Sequence, residues 1–164
     1  MSAELQQLYQ QIILDHAKAR HGAGLAEVPA GLKSGESHQL NPTCGDEITL
    51  RAVMTDAGTS AAGAAGVGAG ITSVQGISWE GQGCSISMAS ASVLTDLAAG
   101  LSRDEIMALV DNFREVMRSR GTVEADEEVL GDAAAFSGVS RYPARVKCAM
   151  LAWVALEEAL LAAN

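Results

Sequence analysis

Apolar side chains return at three- and four-residue intervals at the start of the chain. Leu5, Leu8, Tyr9, Ile12 and Ile13, with His16 at the end of the same stripe, predict one face of a helix over Ala3–Ala19. Over 23–37 this period disappears and Gly, Pro and Ser accumulate, which predicts a surface connection, with a short strand near 37–41. Ile48, Leu50, Ala52 and Met54 then alternate with Thr49, Arg51, Val53 and Thr55, the period of a half-buried strand. A second strand is expected over 71–79, closed by Gly81 and Gly83. Between the two strands lies DAGTSAAGAAGVGAG (56–70), whose Ala/Gly bias suits a hairpin loop.

The second half of the chain reads as helical. SISMASASVLTDLAA, from Ser85, has no Pro or Gly before Gly100, a glycine suited to a helix C-terminus. Ser102 and Glu105 form a capping-box pair ahead of an apolar stripe at Ile106, Leu109, Val110, Phe113, Val116 and Met117. Residues 121–142 read as irregular, with one acidic helical turn around 124–130. The last segment, 144–162, is apolar nearly all round and is expected to be buried on more than one side. Helix, small sheet, then several helices describes an α+β fold, with about three antiparallel strands and helices on one face. At 164 residues the whole chain, 1–164, is expected to be one domain.

Composition narrows the function. Hydrophobic residues make up 48% but aromatics only 4%, so Ala and the aliphatics must build most of the core. A net charge of −9 disfavours nucleic acid and anionic membranes as partners. The first residues lack a basic stretch followed by an apolar core, and no apolar run reaches membrane-spanning length. Three cysteines, an odd number, point to a reducing compartment and a cytoplasmic location.

Those cysteines carry the candidate chemistry. Cys44 stands in NPTCGD at the entrance to the first long strand, with Asp46 two residues on; Cys84 stands in GQGCSIS after the second strand; Cys148 stands in RVKCAML on the last helix. The spacing excludes paired zinc knuckles, so any shared site must be assembled by the fold. Antiparallel pairing of the two strands sets Cys44 beside Cys84, and the final helix brings Cys148 if it packs across that sheet edge. Three thiolates and the Asp46 carboxylate would suit tetrahedral zinc. Cys84 at a helix start also favours its thiolate. Cysteines are equally at home as small core hydrophobes. The flanking Pro42, Gly45, Asp46 and Gly83 mark turns and favour the site.

NPTCGD, GQGCSISMASAS and AFSGVSRYPARVKCAMLAW together resemble the SufU-type iron-sulfur cluster assembly proteins, within the IscU-like and NifU N-terminal group. The resemblance runs from the first helix to the last and implies an IscU/SufE-like fold. It implies that Cys44, Asp46, Cys84 and Cys148 bind one metal. YPARVKC places Lys147 where IscU-like scaffolds have a histidine, lacks their LPPVK docking motif, and follows an insertion over 121–142 typical of the SufU branch. The 56–70 loop is longer than the family pattern, and no function is placed on it. The implied activity is zinc-dependent sulfur transfer from a SufS-type cysteine desulfurase, with a SufBCD-type scaffold downstream. Cys44 would be the sulfur acceptor, Asp46 would tune the site, and Arg145 would help the partner interaction. The alternative is a scaffold on which a transient [2Fe-2S] cluster is built; a third reading is a purely structural zinc protein.

Other candidates read as structural. His16 lies on the apolar stripe, His21 in a basic turn, and His38 belongs to no motif. GVGAG (66–70) and GQG (81–83) do not complete GxGxxG, and SISMASAS lacks a GxSxG elbow, so packing through small residues accounts for it. The acidic group at Glu124, Asp126, Glu127 and Glu128 reads as a solvated turn.

Overall fold

The computed structural model describes residues 3–42, 45–55 and 73–163. Among these, helix α1 (Ala3–Ala19) leads into a three-stranded antiparallel sheet of β1 (Lys33–Asn41), β2 (Asp46–Thr55) and β3 (Ser73–Gln82), in the order β1-β2-β3. Helices α2 (Ser85–Ala98), α3 (Arg103–Arg118), the short α4 (Glu127–Leu130) and α5 (Pro143–Ala162) follow. This is the expected α+β arrangement. The Ala/Gly loop at 56–70 lies outside the described residues.

The alternation read in β2 holds through Arg51: Ile48, Leu50, Ala52 and Met54 are buried and Thr49 and Arg51 are half-buried on the other face, where Val53 is buried as well. α5 packs on β1 and β2, and α2 on β3. As its composition requires, α5 is buried on several sides, from Cys148 and Ala149 through Trp153 and Leu156 to Leu160. Trp79, Trp153, Phe113 and Phe136 are all fully buried, so the few aromatics are concentrated in the core. Phe113 stacks on Trp153 with centroids 4.0 Å apart, and Phe136 meets Phe113 edge-on at 6.1 Å.

The Ser102–Glu105 capping box forms in both directions. Gly100, just past the end of α2, takes φ +85°, the left-handed conformation expected of a terminating glycine.

Three readings change. β1 begins at Lys33, so the surface connection is shorter than its Gly and Ser content implies. Gly35 belongs to the strand because α5 leaves room for nothing else: a Cβ there would stand 1.8 Å from the Ala159 carbonyl oxygen. β3 runs through Gly81 to Gln82, where Gly81 pairs with Ile48. Residues 121–142 are more ordered than their pattern predicts. The acidic turn contracts to α4, capped by Asp126, and Gly131–Arg141 forms a 3-10 helix burying Ala133, Ala134, Phe136 and Val139.

Candidate metal centre

Pairing of β1 with β2 sets Asn41 opposite Asp46, and Gly45, at φ +73°, donates its N–H to the Asn41 carbonyl at 2.8 Å. Asp46 is therefore held at the first position of β2, 1% exposed. Pairing of β2 with β3 sets Glu47 opposite Gln82, which brings the end of β3 and the start of α2 beside it. Cys84 is the N-cap residue of α2. Cys148, 2% exposed, comes from the second turn of α5 across the same edge. One donor atom from each of Asp46, Cys84 and Cys148 lies within 4.8 Å of the others. The predicted fourth member, Cys44, lies outside the described residues.

Asp46 is the hub. Its Oδ1 accepts the Cys84 backbone N–H at 3.0 Å, and its Oδ2 accepts the Ser87 hydroxyl at 2.7 Å. The Cys84 thiol stands 3.9 Å from Oδ2 and 3.6 Å from Ser87 Oγ. Burial pushes the carboxyl pKa up. Hydrogen bonds from Cys148, from Ser87 and from the Cys84 amide and thiol outweigh that, holding it below the ordinary carboxylate value. The open end of α2, with its unpaired N–H groups, favours the same charge. Gly83 makes the approach possible, since a Cβ there would meet Asp46 Oδ1 at 2.5 Å. Asn41 Nδ2 points at the Cys148 sulfur from 3.8 Å.

The donors fit a thiophilic divalent ion. Bonds of about 2.0–2.3 Å in a tetrahedron put donors roughly 3.3–3.8 Å apart, and side-chain rotation closes a 4.8 Å spread to that range. Two sulfurs and a carboxylate oxygen form a zinc-type set that a third thiolate would complete.

Arg145 is exposed in the first turn of α5, three residues before Cys148. With Tyr142 and Ile86 it lines a groove of about 1270 Å³ that runs along α1 past Tyr9 and Ile13. Lys147 is exposed beside Cys148. His38 stands away from the site, with Nδ1 2.8 Å from Thr49 Oγ1. GQG is not a turn: Gly81 and Gln82 are the last paired residues of β3. Sequence reasoning missed Ser87 and Asn41. The signal for Ser87 was available: three residues after Cys84 on a helix, it shares the Cys84 side. The serine run does more than pack, because Ser87, Ser90 and Ser92 are buried and each is hydrogen-bonded to another segment.

Comparison with known proteins identifies the family. Residues 8–149 match the family model described as the NifU-like N terminal domain. The chain is 35% identical to the iron-sulfur cluster assembly scaffold protein IscU of Streptococcus pyogenes serotype M1, over 96% of this chain and 86% of that protein. It is also 35% identical to the zinc-dependent sulfurtransferase SufU of Bacillus subtilis (strain 168), over 96% and 92%. A solved structure titled as a putative iron-sulfur cluster assembly scaffold protein for the SUF system, from Fervidobacterium islandicum AW-1, superposes with a TM-score of 0.69 at 31% identity, covering 94% of this chain and 97% of that one. The chain belongs to the NifU-like N-terminal domain family. Within that family it is an IscU-like protein of the SufU type. No described helix is long and apolar enough to cross a membrane.

Proposed function

We propose that the chain is a zinc-dependent sulfur acceptor that takes persulfide sulfur from a SufS-type cysteine desulfurase and passes it on for iron-sulfur cluster assembly, in the cytoplasm and through a SufBCD-type scaffold. The convergence of Asp46, Cys84 and Cys148 on one sheet edge carries this reading. The name of the Bacillus relative supports it, as does Lys147 in place of a histidine before Cys148.

Cys44, Asp46, Cys84 and Cys148 would hold the ion. Bound zinc keeps its sulfur ligands deprotonated and protects them from oxidation. Cys44 then acts as acceptor. Its thiolate attacks the outer sulfur of the desulfurase persulfide; a new S–S bond forms on Cys44, the enzyme's own S–S bond breaks, and the enzyme cysteine leaves as thiolate. Asp46, tied to Ser87 and to the Cys84 amide, keeps its charge and orientation throughout. Arg145 offers the partner a guanidinium beside the site.

Alanine release by a SufS-type desulfurase tests this directly. The protein is expected to stimulate it and Cys44→Ala to abolish the stimulation, whereas full activity of that variant would remove Cys44 as acceptor. The scaffold reading is kept because the Streptococcus relative carries that name. Protein purified anaerobically with iron and matching acid-labile sulfide, instead of near-stoichiometric zinc, would decide for the scaffold. A silent desulfurase combined with unfolding on metal removal would leave only structural zinc.

A further inference from the structure

His16 and His21 read as structural in the sequence, yet the fold brings them together with a carboxylate. His16 closes α1 with its side chain 9% exposed. Its Nε2 lies 3.0 Å from Asp132 Oδ2, and its Nδ1 lies 2.8 Å from Ser92 Oγ. A carboxylate only accepts, so Nε2 carries the proton. In the neutral ring Nδ1 is then the lone pair, and the Ser92 hydroxyl donates to it. Ser92 also accepts the His21 backbone N–H at 3.0 Å, which draws the turn after α1 onto α2. There His21 Nδ1 stands 2.8 Å from Asp96 Oδ2, and the two imidazoles meet edge-on with centroids 5.3 Å apart. Asp96 is one helical turn beyond Ser92, on the same side of α2. One donor atom from each of His16, His21 and Asp96 lies within 4.8 Å of the others.

We propose that His16, His21 and Asp96 form a second metal site, for a divalent ion of the zinc class, independent of the sulfur-transfer reading. Two imidazoles and one carboxylate are a recurrent zinc ligand set, chemically unlike the thiolate set at the start of α2. His16 ligates through Nδ1 as the Ser92 hydroxyl turns away. Asp132 keeps the Nε2–H, the carboxylate–histidine–metal relay that fixes a ligand's tautomer and raises its basicity. His21 and Asp96 exchange their mutual hydrogen bond for the ion. Their side chains, 48% and 51% exposed, give the ion a path from solvent, and water completes the coordination. Twelve residues of α2 separate Cys84 from Asp96, roughly 18 Å along the helix, so the two ions do not share ligands.

Zinc titration of the metal-free full-length protein, followed by calorimetry, is the test. Two binding events are expected. His21→Ala, a change at a half-exposed turn, removes the weaker one, and Cys84→Ser alters the tighter one while leaving the weaker. Asp132→Asn keeps all three ligands and weakens the second event by about tenfold to a hundredfold. A single event in the unsubstituted protein that His21→Ala leaves intact overturns the proposal. So does a second event that survives His21→Ala or vanishes in Cys84→Ser. Loss of desulfurase stimulation in Cys44→Ala bears only on the sulfur-transfer reading and is expected to leave the weaker event intact.

Discussion

The two ends of α2 carry comparable clusters made from opposite materials. At the N-terminal end Ser87 fastens the buried Asp46 beside two thiols; toward the other end Ser92 fastens the buried His16 beside an exposed histidine and aspartate. In both, a helical serine hydroxyl orients a buried ligand-type side chain from a different segment. What differs is where the charge sits. Asp46 is ionised inside the fold and depends on its donors, whereas Asp96 and Asp132 are solvated and depend on little. In metal-free protein the stability of the fold is therefore expected to respond to substitutions throughout the first cluster, and in the second only to those touching His16.

The largest effect is at the thiolate end. Cys44→Ala is expected to reduce desulfurase stimulation to background, while His21→Ala leaves it unchanged; alanine release measures both. Next comes a contrast between two aspartates. Asp46→Ala leaves the Ser87 hydroxyl and the Cys84 amide without their acceptor and is expected to cost about 1–3 kcal/mol of stability in metal-free protein. Asp96→Ala, at a half-exposed carboxylate, is expected to stay within about 0.5 kcal/mol. Denaturant midpoints compare them, and equal losses would show that the carboxylates are not distinguished by burial. Smaller still, Ser87→Ala is expected to weaken zinc affinity at the thiolate site by about tenfold or more through loss of orientation. Ser92→Ala should leave that affinity alone.

The smallest effect is a pH dependence elsewhere on α1. The Tyr9 hydroxyl donates to Glu127 Oε1, and burial first, then that hydrogen bond and the charges of Glu127 and Glu124, push its pKa up to about 12. The folded state thus holds the phenol proton more tightly than the unfolded chain. The associated stability is full below the ordinary tyrosine value of 10.0 and is lost as pH rises from there through about 12. Denaturant midpoints at pH 9 and pH 11.5 are expected to fall more for the unsubstituted protein than for Tyr9→Phe. Parallel falls would exclude Tyr9 as the group responsible.

The thiolate end was legible in the sequence because its residues announce themselves locally. Cys84 follows glycines that a packing cysteine does not need, and antiparallel pairing of the two long strands was enough to place it near Asp46. Ser87 and Asn41 were not, because their roles depend on which side of α2 faces the hairpin and on how deeply α5 inserts. The imidazole end was illegible for a different reason. His16 and Asp132 are 116 residues apart, and their meeting depends on the 3-10 segment. That segment, rich in Ala, Gly and Ser, has no period of its own and is ordered by packing of Phe136 against Phe113. Gly35 misled for the same reason, since its value lies in the Ala159 carbonyl opposite it.

The described thiolate-site ligands come from β2, the cap of α2, and α5, the last described helix. During synthesis the aspartate and Cys84 emerge well before Cys148, and no partial chain holds all of them. Capture of an ion by the thiolate set would therefore wait on α5, because a chain halted before that helix lacks Cys148.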